Sequence, residues 1–255
     1  MKVLKQILDF YINTSIHVAI AVFSLVQITK LSLNITTNLN LDFLIFFGTI
    51  LGYNFLKYLE VFLIRIYTFD KNYSIIVISF IAFFGMIYFY FKLESNVQIE
   101  ILKIGFLVLV YPFIRKFAFL KMAYVSFCLT LVTVFILQIN HNYIYLVQRF
   151  LIIFCLLIPQ EICDLKSDSK TIETLPQIIG IQNLKILGYF LLVIFCCLNF
   201  YLLKFIFDID FVLAIITAIS IFFSNYERSK YYISFWVESL PIFWWILIYI
   251  FIEIL

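Results

Sequence analysis

The chain has 255 residues, of which 65% are hydrophobic and 13% charged, with a net charge of +3 at pH 7 and a mean hydropathy of +1.09. A soluble globular domain is nearer half apolar and a quarter charged, so these values exclude a water-soluble enzyme or binding module and describe a polytopic membrane protein. No basic run interleaved with aromatics is present, which argues against nucleic acid as a partner.

The first apolar run, about residues 10–32, is too long for the apolar core of a cleavable signal and has no small-residue cleavage site. It reads as the first of nine spans. The others lie at roughly 42–65, 73–92, 98–114, 118–139, 142–160, 186–206, 210–225 and 233–254. Charge-free runs such as Tyr73–Phe91, Met122–Gln148 and Ile186–Leu203 match or approach the ~20 apolar residues that cross a bilayer. A spanning segment must satisfy its own backbone, so each is a helix. The fold expected is all-α, a polytopic membrane bundle of about nine transmembrane helices with residues 1–255 forming a single transmembrane domain. The high Phe, Ile, Asn, Lys and Tyr content reads as the product of an AT-rich genome.

Charged residues inside such spans are costly and tend to be functional. The second span carries Asn54-Phe-Leu-Lys57-Tyr58-Leu-Glu60-Val-Phe62. Lys57 reads either as the ion-pair partner of Glu60 or a neighbouring-helix acid, or as a cation offered to an anionic ligand. After the fourth span comes Tyr111-Pro-Phe-Ile-Arg115-Lys116. Arg149, in the sixth span, either points into the bundle or snorkels to the nearer interface, and snorkelling is the expectation. In the last span Glu238 precedes a Pro241 kink, and Trp236, Trp244 and Trp245 suit an interfacial belt as well as a ligand wall. The five cysteines lack CxxC spacing and read as small core residues. His17 and His141 are isolated, so no zinc ligand set is evident.

The longest polar connection, roughly 161–185, follows the sixth span. Glu161, Asp164 and Asp168 are spaced i, i+3, i+7, which puts them on one face of a helix; a plain solvated loop is the other reading. Asp164 and Asp168, four apart, can share a hard cation, and Mg²⁺ takes one or two carboxylates and completes its shell with water and substrate phosphate. Lys166 and Lys170 interleave the acids, and Leu175-Pro176 is expected to end the stretch in extended backbone. Lys2, Lys5, Arg65, Lys71, Arg115, Lys116, Lys121, Lys166, Lys170, Lys185, Arg228 and Lys230 fall on the side of the N-terminus, against Lys30, Lys92, Lys103 and Lys204 on the other. Twelve against four places the N-terminus and the polar connection in the cytoplasm.

Asp164-Leu-Lys-Ser-Asp168, then Thr174-Leu-Pro176, then Gly180, resembles the second aspartate-rich motif of the UbiA superfamily of intramembrane prenyltransferases. Tyr111-Pro-Phe-Ile-Arg115-Lys116 is similar to the segment with which those proteins meet the donor diphosphate. The family's first motif, Asn-Asp-x-x-Asp-x-x-x-Asp in the second span, is kept here only as Asn54, with Phe55, Tyr58 and Phe62 where the three acids would stand. The resemblance implies a nine-helix bundle of two four-helix halves plus a ninth helix, in the bacterial cytoplasmic membrane. It implies an isoprenyl diphosphate and a lipophilic acceptor as partners and Mg²⁺ as cofactor. Asp164 and Asp168 are the implied catalytic and metal residues, with Glu161 as a further ligand. Asn54, Lys57, Tyr111, Arg115 and Lys116 would bind substrate. The degenerate first motif keeps a second reading open, a non-catalytic relative that binds a polyprenyl lipid or an interaction partner. A transporter fits less well, since no pair of interrupted helices marks a midplane site. From the twelve-to-four asymmetry, a reporter fused after Leu255 is expected to be active only outside the cytoplasm; activity of a cytoplasmic reporter there would overturn the nine-span topology.

Overall fold

Ser15 breaks the first apolar run in two. Its backbone is left-handed (φ 62°, ψ 14°), a conformation that costs a non-glycine residue ~1 kcal/mol or more. Hydrogen bonds from another helix offset this cost. Ser15 Oγ donates to Asn54 Oδ1 (2.6 Å), while Asn54 Nδ2 donates to Thr14 O (3.2 Å) and Ser79 Oγ (2.9 Å). The expected first span is therefore two helices, α1 (Lys2–Asn13) and α2 (Ile16–Leu33). At 12 residues α1 cannot cross a bilayer. It exposes Val3, Leu4 and Ile7 along one side, the pattern of a helix lying in the membrane surface.

In this computed structural model residues 2–35, 39–64, 73–137, 143–165, 174–202 and 207–254 are described. The remaining helices are α3 (Leu39–Ile64), α4 (Tyr73–Tyr90), α5 (Ser95–Ile114), α6 (Ala118–Thr133), α7 (Tyr143–Cys163), the one-turn α8 (Leu175–Ile179), α9 (Ile181–Leu202), α10 (Phe207–Phe223) and α11 (Leu240–Ile254). No strand occurs among the described residues. A short 3₁₀ turn (Phe135–Leu137) extends α6, and a π-helical segment (Tyr232–Val237) leads into α11. Among the described residues eight runs are long and apolar enough to cross a membrane. The remaining expected span, the eighth at 210–225, is α10, whose 17 residues carry Asp208 and Asp210 in the first turn and sit at the lower limit of spanning length. Pro241 lies in the first turn of α11, where its missing N–H costs nothing, so it starts a helix and does not kink one. The chain is an all-α polytopic membrane bundle.

The helices pack in a ring, α2 against α3 and α11, α3 against α4, α5 against α6, α6 against α7, then α7, α9, α10 and α11 in succession. α2 also meets α6. In lipid apolar area drives little helix association, so close approach and polar contacts decide it. Gly188 shows this: a Cβ there would lie 2.7 Å from Ile158 Cδ1 and 3.0 Å from Ile221 Cδ1, so the glycine lets α9 lie against α7 and α10 without displacing these side-chain ends. Small hydroxyls line the inner faces, with Ser126, Thr130 and Thr133 buried along α6. Large apolar side chains turn outward instead, among them Phe80, Phe84, Phe106, Leu109, Phe190 and Val193. These face lipid.

A buried polar network closes one end of the ring. Arg149 of α7 is 0% exposed, so it does not snorkel. The bundle supplies its ligands, and the end of a long side chain that is already enclosed has no path to the interface. Its Nη2 donates to Thr29 Oγ1 (3.1 Å) and Tyr145 Oη (2.9 Å), and its guanidinium lies 4.9 Å from the ring centroid of Trp244. The Trp244 indole N–H donates to Asp210 Oδ1 (2.8 Å), and Thr29 Oγ1 donates to Thr133 O (2.7 Å). Residues from α2, α6, α7, α10 and α11 meet here, joined by Gln148 donating to Asn199 of α9. Trp244 is thus core, while Trp236 is exposed. On the same end Lys30 pairs with the buried Asp42 (2.5 Å), which also accepts from Gln27 (3.2 Å).

Breaking a buried pair by removing one charge costs ~3–5 kcal/mol, because the other is stranded. Arg149→Met is therefore expected to lower the thermal unfolding temperature in detergent sharply. Arg149→Met with Asp210→Asn should lose less than the sum of the two single changes. Additive losses would show that the two residues do not act as a pair.

Candidate functional site

At the opposite end of the ring the last turn of α7 carries Gln160, Glu161 and Asp164. Gln160 and Asp164 are one turn apart and share a face, which looks toward α3. The Tyr53 side chain of α3 lies close to Gln160 and within electrostatic reach of Asp164, Tyr111 and Glu238. Glu161 points elsewhere: its carboxylate pairs with Lys121 of α6 (3.0 Å), and both side chains are largely buried. The three acids expected on one face are thus divided, Glu161 toward α6 and Asp164 toward α3. Asp168, Lys166 and Lys170 lie outside the described residues, as does the side chain of Glu60.

Lys57 projects from α3 into the same region, lying 5.3 Å from the ring centroid of Tyr58. Its foremost charged neighbour is Glu238, and Glu238's is Lys57, followed by Asp164. The two face each other without a direct ion pair. Among the described side chains, which do not include Glu60, the acid near Lys57 is Glu238 of a neighbouring helix. Tyr58 donates to Asn13 O (2.8 Å), and a cleft of about 670 Å³ opens beside it, lined by Asp9, Asn13 and Ser74 among others. There the Tyr231 hydroxyl (2.7 Å), with help from Lys230, holds the Asp9 carboxyl below its usual range and ties α1 to the chain before the π segment.

The π segment aims Glu238. A π turn takes in one extra residue and rotates whatever follows it; here the Glu238 N–H donates to Ile233 O, five residues back (3.1 Å). His17 of α2 supports the segment. Its Nε2 donates to Phe235 O (3.1 Å) and its ring stacks on Phe235 at 5.3 Å. Ser239 Oγ donates to the same carbonyl (2.5 Å).

On α5 Tyr111 stacks on Tyr124 of α6 (centroids 6.5 Å) and reaches toward Tyr53. Arg115, one turn later, caps α5 with its N–H on Tyr111 O (2.9 Å) and is half-buried, while Lys116 is exposed. Asn54 is 3% exposed, and its amide is taken up by Ser15, Thr14 and Ser79, so it faces the α1–α2 turn. The motif's tail has its own local logic. Thr174 is extended and its N–H donates to Gln177 Oε1 (2.8 Å), Pro176 occupies the first turn of α8, and Gly180 leaves it with φ +84°. Pro176, expected to end an extended stretch, starts a helix. Gly180 takes a φ that side-chain-bearing residues rarely adopt.

Tyr53, Gln160, Lys121 and His17 are absent from the sequence-based set. Gln160 was within reach, one turn before Asp164 on the same face. Nothing marked Tyr53 among so many aromatics. Among the described residues no three His, Cys, Asp or Glu side chains group to hold a metal ion by themselves. Mg²⁺ shared with a phosphate needs only one or two carboxylates, and the half-exposed Asp164 offers one.

No family model and no curated protein matches the chain. Among solved structures, a UbiA homolog from Archaeoglobus fulgidus, bound to GPP and Mg²⁺, superposes with a TM-score of 0.67 at 13% identity, over 96% of this chain and 99% of that one. The arrangement of the helices is that of the UbiA fold.

Proposed function

We propose that the protein is an integral membrane prenyltransferase of the UbiA type, moving an isoprenyl group from a diphosphate donor to a lipophilic acceptor. The observation that carries this reading is the cluster at one end of a UbiA fold: Asp164, Gln160 and Tyr53, with Tyr111 beside them and Lys57 facing Glu238. The structural relative is described as binding GPP and Mg²⁺, a prenyl diphosphate and the divalent ion suited to it.

Asp164, and Asp168 by its spacing in the sequence, would hold Mg²⁺ through the donor's phosphate oxygens. The ion, when bound, draws charge onto the leaving diphosphate. Lys57, Arg115 and Lys116 add fixed positive charge for the same group, and Tyr111 and Tyr53 orient it. Charge placed where it develops in the transition state lowers the barrier to ionisation at the allylic carbon, after which the acceptor attacks. Glu161, neutralised by Lys121, braces α7 against α6, and Asn54 holds the turn from which α1 covers this end. The Lys and Arg asymmetry supports a cytoplasmic face for the site, and the membrane in this reading is the bacterial cytoplasmic one.

A second reading has a specific observation behind it. Asn54 is spent on protein contacts and Tyr58 on Asn13, and Phe55, Tyr58 and Phe62 stand where the first motif's acids would be, as suits a non-catalytic relative that binds a polyprenyl lipid or another protein. Purified protein incubated with labelled isoprenyl diphosphates and Mg²⁺ decides between them. Diphosphate release is expected, and Asp164→Asn should reduce it by about 100-fold or more with helix content unchanged. Donor-analogue binding should weaken in EDTA, since Mg²⁺ sites lean on substrate oxygens. No release from any donor, with lipid binding intact and Asp164→Asn silent, would establish the non-catalytic reading.

A further inference from the structure

We infer that Glu238 is the internal counter-ion of Lys57, facing it while the site is empty and displaced from it by the donor's diphosphate. This rests on the diphosphate reading above and deepens it.

The argument starts from charge. Phe55, Tyr58 and Phe62 remove from the second span the acids that would hold a cation there, while Lys57 in the same span brings a cation fixed to the chain. A lysine within a span requires a compensating acid. Glu60, three residues away, is the local choice from sequence, yet the packing brings Glu238 from the far end of the chain. It does so by special means. The segment before Glu238 is π-helical, and the carbonyl of Phe235 takes hydrogen bonds from His17 and Ser239. A π turn is rare and recurs at functional sites, and this one sets the direction of a carboxylate within a span. The pair is also left open. Lys57 and Glu238 face each other without a direct ion pair, and the Lys57 side chain is exposed, whereas Glu161 and Asp42 in the same protein are closed tightly by Lys121 and Lys30. A lysine kept near an acid, unsealed and reachable, is available to a stronger acceptor, and a diphosphate is one. Asp164 also lies within electrostatic reach of Glu238, so of these three groups Lys57 is the one that attracts an incoming anion. Binding then requires the diphosphate to take Lys57 from Glu238.

The test is a double-mutant cycle on the full chain in lipid nanodiscs, with inorganic pyrophosphate and Mg²⁺ as the probe and calorimetry as the readout. Lys57→Met should weaken binding about tenfold or more, as a lost charged hydrogen bond does. Glu238→Gln should tighten it by about fivefold, because a competitor is gone. In the Lys57→Met background Glu238→Gln should change the affinity by less than about twofold, since the competition no longer exists. Equal tightening in both backgrounds would reduce Glu238 to general repulsion and overturn the inference, as would an unchanged affinity in Glu238→Gln while wild type binds. Wild type that does not bind pyrophosphate at all overturns the diphosphate reading itself. Thermal unfolding provides a ligand-free check, with Glu238→Ala as a second variant. Lys57→Met should lower the unfolding temperature and removal of the Glu238 charge should restore part of it; a fall in both singles with a further fall in the double also overturns the inference.

Discussion

Arg149 is the interaction on which the rest of this bundle depends. A guanidinium enclosed among helices cannot be left without partners in a low-dielectric surrounding. Thr29, Tyr145 and the Trp244 face receive it, and Trp244 in turn binds Asp210. Because these residues come from helices far apart in the chain, satisfying one side chain brings α2, α7, α10 and α11 together at one end. Apolar area does not do this in lipid, where the tails are as apolar as leucine. Each outward Phe or Ile is indifferent to which helix is its neighbour, and the polar network is not.

The two ends of the ring handle charge differently. At the Arg149 end the guanidinium and Asp210 are buried and linked through Trp244, with Lys30 and the buried Asp42 joined as well. At the other end the tight Glu161–Lys121 pair stands beside more accessible groups: Lys57 faces Glu238 without a direct ion pair, Asp164 is half-exposed, and Lys116 is exposed. A tight, desolvated pair resists an incoming ligand, while separated charges can be re-partnered. This difference makes one end a closure and the other a site. The fixed backbone around the site supports it: the Ser15 turn held by Asn54, the π segment held by His17, and the α8 turn closed by Gly180.

Much of the candidate site could be picked out from the sequence because its motifs are local. Asp164, Thr174, Pro176 and Gly180 stand in one short stretch whose composition differs from everything around it, and Tyr111 and Arg115 share a helix turn. What the sequence misassigned was direction. Glu161 and Asp164 are three residues apart, close enough on a helical wheel to look like one cluster, yet Lys121 captures the first and Tyr53 with Gln160 flanks the second. Arg149 was equally ambiguous, because the length of an arginine suits both snorkelling and burial. The break at Ser15 carries no sequence signal such as glycine or proline, because its cause is an asparagine on another helix.

The sequence by itself determined the class of the molecule: a membrane chain, helical throughout, with its spans where the apolar runs are and a polar, acid-bearing connection after the sixth. That follows because hydropathy and the need to satisfy the backbone in lipid are properties of each segment alone. The tertiary structure alone decided which charges meet, Lys57 with Glu238, Arg149 with Asp210 by way of Trp244, and Glu161 with Lys121. It also turned one expected span into α1 and α2. Pairing depends on how far each helix is rotated about its axis and on which neighbour it lies against, and both are set by close packing and buried polar contacts between residues distant in the chain, which no single segment encodes.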